Sequence, residues 1–190
     1  MNIHGATSKG LVRTTCLLIL LATSACSSFF DKPQRRPCAG ASIPAELADF
    51  VIFDGPGRDL IDVNHTGRIR EVETSCKFEI DEKTSEGTMS LAVAPVFELE
   101  RGSANKDRQA SFNYFIAVTE PGRKIRDKVT YPVTKEFTGN ATRMVAKDKT
   151  ITINLPVGPE IGGTAYHVYV GFQLDKAQVE FNRKRLNQLR

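Results

Sequence analysis

The 190-residue chain contains no tryptophan, only 3 histidines and 3 methionines, and 4 cysteines. So few nitrogen and sulfur ligands, at no ligand-like spacing, argue against a metal centre. Gly-x-Ser-x-Gly, the strained turn that presents a nucleophilic serine, is missing, and a lone histidine without positioned partners makes a poor general base. The Asp54-Gly55-Pro56-Gly57-Arg58-Asp59 turn has glycines and a cation but lacks the lysine and the serine or threonine of a phosphate-cradling loop. Charge of one sign is scarce as well: the formal net charge is +4, which is no footprint for nucleic acid. No apolar run approaches the roughly 20 residues that cross a bilayer. The absences leave an ordinary globular domain, 41% hydrophobic and 25% charged, long enough to bury a core without metals or disulfides.

Residues 1–25 differ in kind from the rest. Lys9 and Arg13 are their only charged side chains, and an apolar run from position 16 to 22 follows. A charged start, a short apolar centre and small residues at Thr23, Ser24 and Ala25 read as a secretory signal peptide. Leu20 to Cys26 resembles the lipobox of bacterial lipoproteins, with Thr23 where an aliphatic residue is usual. The resemblance implies that Cys26 receives a diacylglyceryl group and becomes the N-terminus. Each buried methylene then adds roughly 0.8 kcal/mol of membrane affinity. It also implies, from Ser27 in place of aspartate, forwarding to the outer membrane, with the body facing the periplasm. Plain cleavage after Ala25, leaving Cys26 a free thiol, is the alternative.

Without residues 1–25 the chain has 24 basic and 22 acidic residues, a net of +2. Cys38 and Cys76 remain as an even pair, and an oxidising compartment favours a disulfide between them; two buried thiols are the alternative. Residues 26–37, with Asp31, Lys32, Arg35, Arg36 and two prolines, read as a lipid-anchored tether.

From residue 38 to 174 the hydrophobic pattern has mostly period two. Pro44 to Leu47 opens a helical turn, and Phe50 to Phe53 is a compact apolar run closed by the turn at 54–57. Val72, Thr74, Cys76, Phe78 and Ile80 share one face of a strand. Met89, Leu91, Val93, Phe97 and Leu99 repeat the alternation, as do Phe112, Tyr114, Ile116 and Val118. Val129, Tyr131, Val133 and Phe137 continue it, with Pro132 marking an edge or a bulge. Ile151, Ile153 and Leu155 form another strand, and Tyr166, Val168, Val170, Phe172 and Leu174 the last. About seven strands, each with one apolar face and no interleaved helices, predict an antiparallel β-sandwich. In architecture this resembles immunoglobulin-like and fibronectin-III-like domains, without the tryptophan of the former. Residues 175–190 predict a C-terminal helix. Asp175 and Gln178 form a capping box, and Arg183, Lys184 and Arg185 suit the helix dipole.

One local motif has ligand spacing. Asp62, Asn64, Thr66, Gly67, Ile69 and Glu73 occupy positions 1, 3, 5, 6, 8 and 12 of an EF-hand-type calcium loop, where oxygens surround a hard cation and glycine permits the turn. The strand-like pattern that follows and the nearby Arg68 and Arg70 favour a turn entering a strand instead. His167 falls on the strand face opposite Tyr166, a surface or edge position, and the basic residues from 183 to 190 read as a solvated helix face. The expectation is an envelope lipoprotein without enzymatic activity or cofactor, in a structural or protein-interaction role. Its partners are the membrane, through the anchor, and envelope proteins or a cell-wall polymer. A ligand- or calcium-binding envelope module is the alternative.

Overall fold

The structure, a computed structural model, describes residues 36–188. The expected signal peptide, Cys26 and nearly all of the tether lie outside the described residues. Nine strands form two sheets: β1 Gly40–Ser42, β2 Asp49–Phe53, β3 Val63–Ile80, β4 Gly87–Arg101, β5 Gln109–Thr119, β6 Ile125–Glu136, β7 Arg143–Lys147, β8 Ile151–Val157 and β9 His167–Phe172. One helix, α1 Lys176–Gln188, follows. The four-stranded sheet has the order β1-β9-β5-β6, and the five-stranded sheet runs β2-β3-β4 with both β7 and β8 on the far side of β4. All pairings are antiparallel except one. β1 runs parallel to β9, with Gly40 opposite His167, a departure from the wholly antiparallel expectation.

β3 is twice the length that its alternation suggests, because the alternation changes phase. His65, Gly67 and Ile69 face inward, whereas beyond the break it is Val72, Cys76, Phe78 and Ile80 that do. A bulge between Ile69 and Glu71 inserts one residue against β4 and flips the faces without ending the strand. On β4 every second residue from Met89 to Leu99 is buried, including Pro95. A proline survives in this central strand because its other neighbour is split in two. β8 pairs Gly87 to Val93 and β7 pairs Val96 to Glu100, so no strand lies opposite Pro95. Asp148, in the link between them, fills the gap. Its backbone N–H donates to the Pro95 carbonyl, and its carboxylate accepts from Tyr114 on the other sheet at 2.9 Å. Burial and this carboxylate both push the Tyr114 phenol above its ordinary pKa, keeping it a donor.

The sheets close on an aromatic centre. Phe97 meets Phe112, Tyr114 and Phe172 at ring separations of 5.0, 5.2 and 5.8 Å, and Phe50 meets Phe172 edge-on at 4.6 Å. Phe50 lies flat over β3 at Gly67, where an added Cβ would stand 2.4 Å from its ring. β6 is the edge strand that Pro132 marks. It is buried only at Val133, with Tyr131 half-buried, and the expected inward Val129 is exposed. At the other edge, α1 lies against the 3-10 turn Ala45–Leu47 and β2. The helix begins with the expected capping box: Gln178 N–H donates to Asp175 Oδ1 at 2.8 Å, and Asp175 N–H donates to Gln178 Oε1 at 3.0 Å.

Candidate functional site

Two ends of the long hairpin β3–β4 differ in chemistry. At one, Cys38 and Cys76 are joined in the expected disulfide, with Cα atoms 5.9 Å apart. The bridge pins the segment entering the domain to an inward position of β3. Closing a separation of 38 residues stabilises the fold by about 4 kcal/mol in the chain-entropy account. Cys26, the expected lipid attachment residue, lies outside the described residues.

At the other end, the nine residues between β2 and β3 form a loop whose 3-10 turn, Leu60–Asp62, is fixed by a capping box between Asp59 and Asp62. Leu60 and Ile61 are 86% and 74% exposed. Val63 and Cys76 lie about 40 Å apart at the strand rise per residue, so this loop and the disulfide stand at opposite ends of the strand. Beside the loop, a groove of about 340 Å³ runs between β2 and the first half of α1. Phe50, Phe53 and Phe181 line it, and the Arg58 guanidinium lies 5.2 Å from the Phe53 ring centre. Phe181 is 54% exposed.

The expected calcium spacing is not brought together. From Val63 onward the stretch is one extended strand, so Asp62 and Glu73 lie about 30 Å or more apart at that rise. The Asp62 carboxylate accepts from Asp59 N–H at 3.2 Å. Gly67, which the motif assigns to a turn, sits in mid-strand to make room for Phe50. Among the described residues no group of three or more acidic, histidine or cysteine residues is arranged for a metal ion.

The two histidines among the described residues, His65 and His167, both make side-chain hydrogen bonds. The buried His65 ring has Nδ1 at 2.7 Å from Asn64 Oδ1 and Nε2 at 3.1 Å from the Ser111 carbonyl oxygen. Burial pushes its pKa below that of a free imidazole, against the Ser111 carbonyl and the Asp107 charge. Asn105 closes this cluster by donating to Asn64 Oδ1 and to the Gln109 carbonyl. His167, expected at a surface or edge position, instead opens the inner strand β9, half-buried between β1 and β5, and lies 2.8 Å from Ser42 Oγ.

A second groove, of about 300 Å³, lies on the outer face of the five-stranded sheet. Its charges pair among themselves: Asp49 with Arg68 and Arg185, and Arg143 with Glu98 and Glu100. Such exposed pairs contribute roughly 0–1 kcal/mol each and leave little charge for a ligand. The basic helix end, read as solvated, in part folds back onto the body: Arg183 pairs with Glu46 and Arg185 with Asp49. The groove beside α1 was not legible in the sequence, which marks Arg58 and the apolar residues but not which of them stay exposed. No protein-family model, curated protein or solved structure matches the chain.

Proposed function

We propose that the chain is an exported, lipid-anchored lipoprotein of the bacterial envelope, attached through Cys26 and facing the periplasm from the outer membrane, whose sandwich serves as a protein-interaction module. The observation that carries this reading is the division of labour along β3. A disulfide secures the segment leading to the anchor, and solvent-facing Leu60, Ile61 and Phe181 mark the loop end. Exposed apolar patches rimmed by polar residues mark protein-interaction sites, and Leu60 and Ile61 stand side by side between Asp59 and Asp62. The reading is binding rather than catalysis: His65 is buried between Asn64 and Ser111, and among the described residues no acidic side chain is hydrogen-bonded to His167, which faces Ser42. In architecture the domain is of the immunoglobulin-like or fibronectin-III-like kind. Two packed sheets support that, while the β2-β3-β4 meander sets its strand order apart from the ABED sheet of constant domains.

The test is mass spectrometry of the mature protein from cell envelopes together with its cross-linked neighbours. A diacylglyceryl-modified Cys26 and a reproducible envelope protein are the expected result. An unmodified Cys26 removes the anchor. A lipidated protein that contacts only a cell-wall polymer or binds a small ligand moves the role to ligand binding.

A further inference from the structure

The groove between β2 and α1 combines three features that rarely meet without an occupant. Its floor and walls are aromatic, from Phe50, Phe53 and Phe181. Its one charged lining residue, Arg58, stacks on Phe53 and forms no ion pair among the described residues. A guanidinium held over an aromatic face is weakly hydrated and presents its planar edge to a carboxylate. The third feature is the wall itself. Asn182 is the buried residue of α1, and its amide donates to the Glu46 and Asp49 carbonyls at 2.8 Å each. Val179 and Leu186, on the same side of the helix as Asn182, are half-buried, while Phe181 is left at the groove 54% exposed.

We propose that this groove docks a segment of a second envelope protein in which an aliphatic or aromatic side chain stands beside a carboxylate. The apolar side chain enters between Phe53 and Phe181, and the carboxylate pairs with Arg58. Leu60 and Ile61, on the same loop as Arg58, extend the contact. The volume, about 340 Å³, suits an anchoring side chain and its neighbours rather than a whole helix, being at the low end of small-ligand sites. A bilayer is the poorer occupant. Asp54, Asp59 and Asp62 share the loop with Arg58, and an anionic surface meets all three, whereas a single placed carboxylate meets only the guanidinium. The proposal rests on the reading of the protein as an interaction module and names the partner's chemistry.

The test places the photo-cross-linker benzoylphenylalanine at Phe181 in the full chain, in cells that make the protein, and maps the adduct by mass spectrometry. A second version carries the cross-linker at Thr130 on the exposed part of β6. The expected result is an adduct from position 181 to one protein, in a segment that has an apolar residue next to an aspartate or glutamate. Arg58→Glu should lower its yield about tenfold or more, as loss of a desolvated charge pair does, at an unchanged melting temperature; Arg58→Lys should retain part of it. No adduct, an adduct to lipid, to a second copy or to the chain's own N-terminal residues, a segment without a carboxylate, or a yield indifferent to Arg58→Glu each overturns the proposal. If position 181 is silent while position 130 traps an envelope protein, the groove proposal falls and the interaction module stands. If both are silent, both fall.

Discussion

The aromatic centre and the C-terminal helix are held by different kinds of contact. Between the sheets, Phe50, Phe97, Phe112, Tyr114 and Phe172 are buried and meet ring to ring. α1 rests on two amide hydrogen bonds from Asn182, on ion pairs from Arg183 and Arg185, and on half-buried Val179 and Leu186, with no ring-to-ring packing. Burying an aromatic side chain contributes several kcal/mol, whereas a hydrogen bond nets about 1 kcal/mol and an exposed ion pair less. The centre therefore sets the stability of the domain. On that comparison the helix should open before the sandwich does.

The largest effect expected from this contrast is at the centre. Phe97→Ala should destabilise the domain by about 3–5 kcal/mol, read as a shift of the denaturant midpoint. A loss under 1 kcal/mol would mean that the sheets are not packed through this ring. Reduction of the bridge, or Cys76→Ser, should cost about 4 kcal/mol; equal melting temperatures with and without reductant would contradict the bridge. Asn182→Ala is expected to cost about 1–3 kcal/mol, with hydrogen exchange quickening across Lys176–Gln188 while the strands keep their protection. Uniform quickening would show helix and sandwich to be one cooperative unit. The smallest effect is that of His65. Its pKa is lowered in the folded state, so the folded protein binds the proton less readily than the unfolded chain. The contribution of the neutral ring is complete above about pH 6.5, the unfolded value, and is lost as pH falls from there toward the lower folded pKa. His65→Asn should flatten that part of the profile, and an unchanged slope would assign the pH dependence to another group.

Much of the sandwich is written in period-two alternation, and the failures have identifiable causes. The first half of β3 escaped because the bulge between Ile69 and Glu71 shifts the inward phase from odd to even positions and because Gly67 resembles turn chemistry. In fact Gly67 serves the ring of Phe50, which is why an apparent calcium loop is a strand. β7 has only Met144 and Ala146 on its inner phase between charged residues, too faint a pattern to find. β1 is three small residues whose pairing is with the last strand, a relation that no local window contains. The disulfide was legible because setting aside Cys16 in the expected signal peptide and Cys26 at the expected lipid site leaves one even pair. The groove was not, because Phe181 is far in sequence from Phe53 and Arg58, and apolar residues look alike whether they end in the core or on a rim.

The pairing of β1 with β9 also sets a timetable. Taken from the N-terminus, the hairpin β3–β4, the hairpin β5–β6, Cys38 and Cys76 all precede Val168, so seven of the nine strands have a partner without β9. Gly40–Ser42 has no seat until the last strand exists, and β5 waits for the same strand on its open side. Chains cut short before residue 167 would therefore carry two unfinished sheet margins at once. Completion of the domain is thus reported by its final segment, and a chain-terminating lesion there should be cleared by proteolysis as though far more of the protein were missing.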